Sequence, residues 1–450
     1  MIMKTLAWLL VLGCATAHAQ STAIEIDVVG EHRMTSGDTN DSARALARVD
    51  AQRRAWREAV TRLQGRADVK ALRLTPAQGE AMAAVLLDLD EQPSSTTSAI
   101  ARAPVQVRMR GRLDGGTVVQ RIAQVLKDQD VTYDLTDAWM EIQQLHEQLA
   151  NQTQLRNGLP DDKASAVVVT QVATIVALDA KLLSARASAA LARTEPSAVG
   201  GRVSSSEGRE RARQYAQAAL ALSPSSPDAH DVMGDLALDE LDPDAAEAEF
   251  RKSLDVEPGA SARRTKLGEA LRLQGRFDEA IAELREAIRS DPSSARAHNG
   301  LALALRAQGN VMDSIAEYRE TLRLDPDFIE AHNGLAVVLA GQGRLEDAVA
   351  EFREIVRIDP DSTIGYYNLA YALADLDRDV ESAAALREVI RINPNHYNAR
   401  YNLGELFRLE AKYDESVKQF REYLRLAPDT PQNRRNIERA RGFVEKFSDR

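Results

Sequence analysis

The sequence predicts a mainly α-helical protein in which a solenoid of helix pairs follows a small α+β domain and a helical hairpin. The first observation is a set of seven prolines at a constant spacing of 34 residues: Pro224, Pro258, Pro292, Pro326, Pro360, Pro394 and Pro428. A fixed period of this size indicates an array of stacked supersecondary units. The second is the composition, since 44% of the residues are hydrophobic but only 5% are aromatic, which suits Ala- and Leu-rich helices.

The columns of the repeat agree with this spacing. Counting position 1 three residues after each proline gives six repeats, at 227–260, 261–294, 295–328, 329–362, 363–396 and 397–430. Positions 8 and 20 hold Gly, Ala or Ser, whereas position 24 holds Phe, Leu or Tyr. Small side chains let two antiparallel helices approach closely, and large ones fill the space between neighbouring pairs. We therefore expect two helices, A and B, in each repeat.

This pattern resembles the tetratricopeptide family, whose repeat has the same length. The resemblance implies a right-handed α-solenoid with a concave groove, lined by helix A, that binds a peptide or protein. Gly275, Gly309 and Gly343 follow helix A, where a left-handed backbone favours glycine. The other repeats depart from the pattern and have Leu241, Asp377 and Ala411 there.

Residues 1–19 have the features of a secretory signal peptide. Lys4 precedes a short apolar stretch at 6–12, which is too short to span a bilayer. Ala17-His18-Ala19 supplies small residues around a cleavage site and would leave Gln20 as the first residue. We therefore expect a periplasmic or secreted protein.

Cys14 offers an alternative. Val11-Leu12-Gly13-Cys14 is an imperfect lipoprotein signal, in which the cysteine would be lipidated and the protein anchored at the outer membrane. Cys14 is the only cysteine, so the mature chain is expected to have no disulfide, no cysteine-based zinc site and no thiol catalysis. No later stretch is expected to be long and apolar enough to cross a membrane.

Residues 21–127 are predicted to form the small α+β domain. Residues 24–28 and 105–111 alternate as half-buried strands do, and a long amphipathic helix is expected over 42–63. Thr75-Pro76-Ala77-Gln78 is a capping box with proline at the first helical position. Together with the segment Asp50-Ala51-Gln52-Arg53-Arg54-Ala55, this order is similar to lipoprotein-20-type domains and to the amino-terminal domain of a flagellar assembly protein.

The remaining segments flank the repeats. Residues 131–193 are expected to form a helical hairpin with a coiled-coil-like seam, because apolar residues recur at a 3-4 spacing. Residues 194–209 are predicted to be a linker, 210–226 a half repeat, and 431–450 a helix that caps the array.

Charge and motifs argue against several classes of function. The formal net charge is −11 and the excess of acidic residues lies behind residue 127, which disfavours nucleic acid as a partner of the repeats. We find no pattern typical of a catalytic, metal or cofactor site. His230, His298 and His332 share position 4 of their repeats, which predicts a packing role rather than a metal site.

The groove is the expected binding site. By the resemblance, positions 2, 5, 6, 9, 12 and 13 line it. Repeat 1 would contribute an acidic patch of Asp228, Asp231, Asp235 and Asp239, and repeat 2 contributes Arg272. The candidate peptide-binding residues are Arg296, Asn299, Arg306, Asn333, Val337, Tyr367, Asn368, Tyr371, Tyr401, Asn402, Glu405 and Arg408.

The residue types in this groove suit an extended peptide. Asparagine amides both donate and accept hydrogen bonds, so a row of them can hold a peptide backbone, and tyrosines add flat contact area. They could instead cap or solvate helix A. The family's clamp for a terminal carboxylate is not expected, because position 5 has no lysine.

The sequence therefore predicts a non-enzymatic scaffold of the bacterial cell envelope that needs no cofactor and binds a protein or peptide partner. One alternative is an outer-membrane lipoprotein that assists the assembly or export of pili, flagella or polysaccharides. Another is an adaptor subunit of a glycan-handling enzyme.

Overall fold

Each of the six repeats forms two helices in the computed structural model. Helix A spans Pro227–Asp239, Ser261–Leu273, Ala295–Gln308, Ile329–Gly341, Thr363–Asp375 and Tyr397–Leu409. Helix B spans Pro243–Val256, Phe277–Ser290, Val311–Leu324, Leu345–Ile358, Asp379–Ile392 and Tyr413–Leu426. The predicted solenoid of helix pairs is confirmed, with the boundaries that the proline spacing indicates.

The structure describes residues 23–34, 38–72, 74–87, 89–92, 104–113, 115–127, 129–156, 159, 161–191, 195–196, 202–203 and 205–447. The predicted signal peptide at 1–19, including Cys14, lies outside the described residues. The chain divides into two units, residues 1–192 with 217–224 and residues 193–216 with 225–450.

A three-stranded antiparallel sheet organises the first unit. Its strands are β1 (Ile24–His32), β2 (Leu89–Gln92) and β3 (Val105–Leu113), in the order β1-β3-β2. Alternate residues of β1 and β3 are buried, so the two predicted strands are confirmed. The opposite face is polar, and Asp27 on it pairs with Arg108 and Arg110 at 2.7 and 2.9 Å.

The helix that covers this sheet is α1 (Asn40–Gln64), which begins two residues before the predicted start. Thr39 and Ser42 form its capping box. The helix lies directly on β1, because a Cβ at Gly30 would stand 2.0 Å from the carbonyl oxygen of Ala47. Only glycine allows so close an approach at this point.

Three shorter helices also belong to the first unit: α2 (Ala67–Ala71), α3 (Pro76–Leu86) and α4 (Gly115–Lys127). The capping box predicted for α3 is confirmed. The Thr75 hydroxyl accepts from the backbone N–H of Gln78 at 3.2 Å, and the side-chain oxygen of Gln78 accepts from the backbone N–H of Thr75 at 3.0 Å. Strand β2 and helices α2 and α4 were not predicted from the sequence.

The hairpin is formed by α5 (Gln129–Arg156) and α6 (Asp161–Ala190). It is not a separate domain, because residues of both helices share one hydrophobic core with the sheet and α1. Trp56 of α1 packs edge-to-face against Trp139 of α5 at 5.8 Å. Arg156 forms a buried ion pair with Asp38 at 2.7 Å. The predicted seam therefore faces the core of the α+β domain as well as the partner helix.

One prediction about α6 is wrong. Residues Ala166–Ala190 are long and apolar enough to cross a membrane by length and composition, with a mean hydropathy of 1.8. Charged residues of this helix have partners in the same unit, since Lys181 pairs with Glu141 at 2.6 Å and Asp179 pairs with Arg48. These contacts and the shared core are those of a helix packed within a folded unit.

The predicted linker is also shorter than expected. Glu195–Pro196 (β4) and Arg202–Val203 (β5) pair as short antiparallel strands. Helix α7 (Ser206–Leu222) begins four residues before the predicted half repeat. The small residues Ala212, Ala216 and Ala219 on this helix are fully buried.

Packing within the repeats follows the column pattern. A Cβ at Gly234 would stand 2.3 Å from the ring of Phe250, and one at Gly404 would stand 2.8 Å from Phe420. Position 8 is therefore small because the side chain of position 24 lies against the backbone there. The capping helix Pro431–Phe447 buries Ala440 and packs its Phe443 ring 5.4 Å from Phe420.

The turn after helix A has a positive φ in every repeat. The predicted glycines Gly275, Gly309 and Gly343 have φ values of 79°, 91° and 75°. Where the sequence departs from glycine the backbone is still left-handed, at Leu241, Asp377 and Ala411, with φ values of 61°, 58° and 58°. The backbone geometry is thus imposed by the repeat, and these side chains tolerate a conformation that costs about 1 kcal/mol or more.

Candidate functional site

We define the helix-A face as the side chains at positions 2, 5, 6, 9, 12 and 13 of the repeats. Its central feature is a set of hydrogen bonds that link successive repeats. The Asn368 amide donates to the Asn333 side-chain oxygen at 2.8 Å, and the Asn402 amide donates to the Tyr367 hydroxyl at 3.3 Å. Both bonds join position 5 of one repeat to position 6 of the next, so we call them the inter-repeat ladder.

The ladder is interrupted between repeats 3 and 4. Asn299 occupies position 5 of repeat 3, but position 6 of repeat 4 is Gly334, which has no side chain to offer. Asn299 is buried, and its side-chain oxygen has no hydrogen-bond partner among the described residues. The ladder joins residues 35 positions apart in the sequence, a relation that no single column of the repeat contains.

Aromatic side chains flank the ladder in repeat 5. The Tyr367 ring contacts Tyr371 at 5.2 Å and His396 at 4.8 Å between centroids. Burial raises the pKa of the Tyr367 hydroxyl well above its ordinary value, so it is neutral at physiological pH. Tyr371 is 51% exposed.

Two aliphatic side chains lie on the same face. Val337 in repeat 4 is 42% exposed and Ile364 at position 2 of repeat 5 is 38% exposed. Ile364, Tyr367, Asn368 and Tyr371 share one face of their helix, because they are three, four and seven residues apart. Ile364 was not predicted as a groove residue, although position 2 belongs to the groove by the resemblance.

Tyr401 was expected to line the groove, and the structure places it in the core instead. It is only 9% exposed, and its ring packs 5.0 Å from Tyr423 and 5.6 Å from Phe420. Its position 5 lies in the last repeat, where the ring joins the cluster that the capping helix covers.

The expected acidic patch of repeat 1 is neutralised by repeat 2. Arg263 binds Asp228 at 2.8 Å and Asp231 at 2.9 Å, and Lys266 binds Asp235 at 2.8 Å. Burial raises the pKa of the Asp231 carboxyl, and the cations of Lys266 and Arg263 oppose that rise. This part of the face is held together by ion pairs and does not present free negative charge.

Charged side chains on the helix-A face of repeats 6 and 3 differ in their ion pairs. In repeat 6, Glu405 pairs with Arg408 at 2.8 Å and with Arg439 of the capping helix at 3.3 Å. In repeat 3, Arg296 and Arg306 are half-buried. Arg306 forms no ion pair with any residue that the structure describes.

The position-4 histidines contact helix B of their own repeats. His230, His298 and His332 each place Nδ1 2.6–2.7 Å from a glutamate at position 23, namely Glu249, Glu317 and Glu351. Arg264 makes the same contact with Glu283 at 2.6 Å. The predicted packing role of this column is confirmed. Among the described residues, no group of His, Cys, Asp and Glu is arranged to hold a metal ion.

Comparison with known families supports the repeat assignment. The family model for the tetratricopeptide repeat matches residues 232–295, 265–327, 299–363 and 367–431. Residues 232–363 and 367–431 therefore carry the tetratricopeptide repeat pattern, in agreement with the stacked helix pairs of the structure. Repeats of this kind are typically non-catalytic and present extended surfaces to protein partners, so the array is a protein-interaction scaffold.

Solved structures with a similar fold were also found. YrrB, described as a repeat protein with an unusual peptide-binding site, is 16% identical over 43% of this chain and 97% of its own, with a TM-score of 0.36. The pilF protein of Pseudomonas aeruginosa is 21% identical over 41% and 85%, with a TM-score of 0.36. The Cut9–Hcn1 complex is 12% identical over 81% and 62%, with a TM-score of 0.47. A search of the curated proteins gave no significant match.

Proposed function

We propose that the protein is a scaffold of the bacterial cell envelope that binds an extended segment of a partner protein along the helix-A face of repeats 4 to 6. The observation that carries the proposal is the exposure of Val337, Ile364 and Tyr371 beside the inter-repeat ladder. Large apolar side chains that stay exposed next to amide groups are typical of protein-binding surfaces.

The ladder leaves hydrogen-bonding capacity for a peptide. Each asparagine amide has two donors and an acceptor with two lone pairs, and the Asn333–Asn368 bond uses one donor and one lone pair. The remaining donors and lone pairs suit a peptide backbone, which presents both N–H and C=O groups. Such contacts would hold an extended segment without reading its sequence, while Tyr371 and Val337 would contact its side chains.

Crosslinking in the native host tests this proposal with the full chain. We expect a photoreactive phenylalanine analogue at position 371 to capture a partner, and Asn333→Ala with Asn368→Ala to reduce the capture. Met312 on helix B provides the control position, because it is 70% exposed but outside the helix-A face. Capture from position 312 with none from position 371 would move the binding surface away from this face.

The location in the envelope is a separate part of the proposal and rests on the amino-terminal sequence. We expect export, with cleavage before Gln20. Mass spectrometry of the mature amino terminus decides between a free Gln20 and an acylated Cys14, and an uncleaved Met1 would contradict both.

A further inference from the structure

We infer that the helix-A face of repeats 2 and 3 contains a binding site for a carboxylate of an acidic side chain in the partner, formed by Arg272 and Arg306 together with the hydroxyl of Tyr318. The inference rests on the proposed function, because it names the chemistry of one segment of the bound chain. It concerns residues outside the inter-repeat ladder, so the two can be tested separately.

The first observation is that these two arginines are the exception on this face. Lys266 and Arg408 on this face, and Arg263 at the neighbouring position 3, each have a carboxylate within 2.9 Å. Arg272 is 3.8 Å from Glu269, which is the long end of an ion pair, and Arg306 has no carboxylate partner in the described part of the chain. A charged group on an interaction face that its own chain pairs only weakly or not at all is available to a partner.

The second observation is their placement. Arg272 and Arg306 both occupy position 12, so neighbouring repeats present them side by side on one face. The next repeat has Ala340 and Gly341 at positions 12 and 13, and a Cβ at Gly341 would meet nothing within 4 Å. The helix-A face therefore has open space at position 13 of the repeat that follows Arg306.

The third observation is a buried hydroxyl donor on helix B of repeat 3. Tyr318 is fully buried, and its hydroxyl has no hydrogen-bond partner among the described residues. The hydroxyl reaches the helix-A layer, since a Cβ at Gly334 would stand 2.6 Å from it. A buried hydroxyl without an acceptor is unfavourable, and an acceptor supplied by a ligand would satisfy it.

The electrostatics of Tyr318 keep its hydroxyl protonated. Burial raises the pKa of its hydroxyl, and the guanidinium groups of Arg306 and Arg272 oppose this rise. The hydroxyl thus keeps its proton at neutral pH and remains a donor. Two cations and one O–H donor form a site for an anion and not for a cation or an apolar group.

A carboxylate is the anion that fits best. The planar guanidinium fork of arginine matches the two oxygens of a carboxylate in a bidentate pair. The formal net charge of −11 repels polyanions such as nucleic acid over a long range, whereas a single acidic side chain is attracted by the local pair. The site therefore selects an acidic residue within an otherwise uncharged segment.

Fluorescence anisotropy at low salt tests the inference with the full mature chain. The probe is a labelled Ala/Ser decapeptide with two central glutamates, blocked at both ends so that it has no terminal carboxylate; its glutamine analogue is the reference. We expect the glutamate peptide to bind at least tenfold more tightly than the analogue. The double variant Arg272→Gln/Arg306→Gln should abolish the difference, and Arg272→Lys/Arg306→Lys should keep only part of it, because an ammonium group retains the charge but cannot form the bidentate pair.

A matched control separates local from general charge effects. Arg285→Gln/Arg319→Gln removes the same charge from helix B of the same repeats, where both arginines are exposed and form no ion pair with described residues. This control should leave the preference intact, and Tyr318→Phe should reduce it by a few-fold. Equal binding of the two peptides to the unmodified chain, or an equal loss in the control, would overturn the inference.

The test of the carboxylate site and the test of the inter-repeat ladder can fail independently. If Arg272→Gln/Arg306→Gln has no effect but Asn333→Ala with Asn368→Ala abolishes partner capture, the carboxylate site is wrong and the proposed function stands. If an inorganic phosphate competitor displaces the glutamate peptide at equal concentration, the site takes phosphate as readily as carboxylate and the assignment to an acidic side chain is wrong.

Discussion

Repeats 1 and 2 and repeats 4 to 6 use the same positions of the same fold in different ways. Where repeat 1 meets repeat 2, ion pairs neutralise the acidic side chains of the helix-A face of repeat 1, with Arg263 between Asp228 and Asp231. In repeats 4 to 6 neutral groups link the repeats, and Tyr371 and Val337 stay exposed. The contrast shows that the solenoid holds its repeats together by two kinds of polar contact, and only the neutral kind leaves apolar surface for a partner.

The largest loss of unfolding free energy is expected from breaking the ion pair between Arg263 and Asp231. Arg263→Leu leaves the buried Asp231 carboxylate with one cation fewer, and losing one partner of a buried ion pair costs about 3 kcal/mol of unfolding free energy. Urea unfolding followed by circular dichroism measures the loss, and hydrogen exchange of 227–294 locates it. Adding Asp231→Asn should recover part of the stability, because no unpaired charge then remains buried.

The exposed Arg285 provides the control for this change. It lies on helix B of repeat 2 and has no ion-pair partner in the part of the chain that the structure describes, so Arg285→Leu should change the unfolding free energy by less than about 0.5 kcal/mol. Similar losses for Arg263→Leu and Arg285→Leu would show that the ion pairs of repeats 1 and 2 do not stabilise the array.

A smaller effect is expected from position 4, where repeat 4 has a titratable group and repeat 2 a permanent cation. His332 places Nδ1 2.6 Å from Glu351 and Nε2 3.0 Å from the carbonyl oxygen of Pro326. Both neighbours are acceptors, so only the imidazolium can donate to both. Arg264 makes the equivalent contacts with Glu283 and the carbonyl of Pro258.

The pH dependence follows from these contacts. Burial lowers the pKa of His332, but the hydrogen bonds to Glu351 and Pro326 and the charge of Glu354 outweigh it, so the folded-state pKa is raised above 6.5. The stabilisation is therefore fully present below pH 6.5 and is lost as the pH rises through the folded-state pKa. We expect a loss of about 1–2 kcal/mol, the contribution of a hydrogen bond to a charged group.

The variant His332→Arg isolates this contribution from the other histidines. Thermal unfolding and hydrogen exchange of 329–362 between pH 5.5 and 8.5 should show a smaller pH dependence in the variant than in the unmodified chain. Identical pH profiles for the two proteins would mean that His332 does not donate from both ring nitrogens.

The sequence predicted the repeats because their period is repeated six times and each helix lies within one period. It did not predict contacts between columns. Arg263 stands at position 3, outside the expected groove, yet it neutralises the acidic patch, and Gly334 determines whether Asn299 has a partner. Such pairings depend on the offset between stacked repeats, which a single repeat pattern does not contain.

The first unit shows a related limit. The spacing of Leu135, Ala138 and Ile142 predicted a helix with one apolar seam, and all three residues are buried in α5. Hydrophobic periodicity states which face is buried but not what covers it. The sheet and α1 share that core with the partner helix, which is why the hairpin and the α+β domain form one unit.

The smallest effect is expected from the neutral contact between repeats 5 and 6. Tyr367→Phe removes the hydroxyl that accepts from Asn402 at 3.3 Å but keeps the ring against Tyr371 and His396. A neutral hydrogen bond of this length contributes about 0.5 kcal/mol, so we expect a loss several times smaller than that of Arg263→Leu. The same urea experiment measures both. If Tyr367→Phe cost as much as Arg263→Leu, the neutral ladder would hold the repeats as firmly as the ion pairs do, and repeats 4 to 6 could not be distinguished from repeats 1 and 2 by the strength of their links.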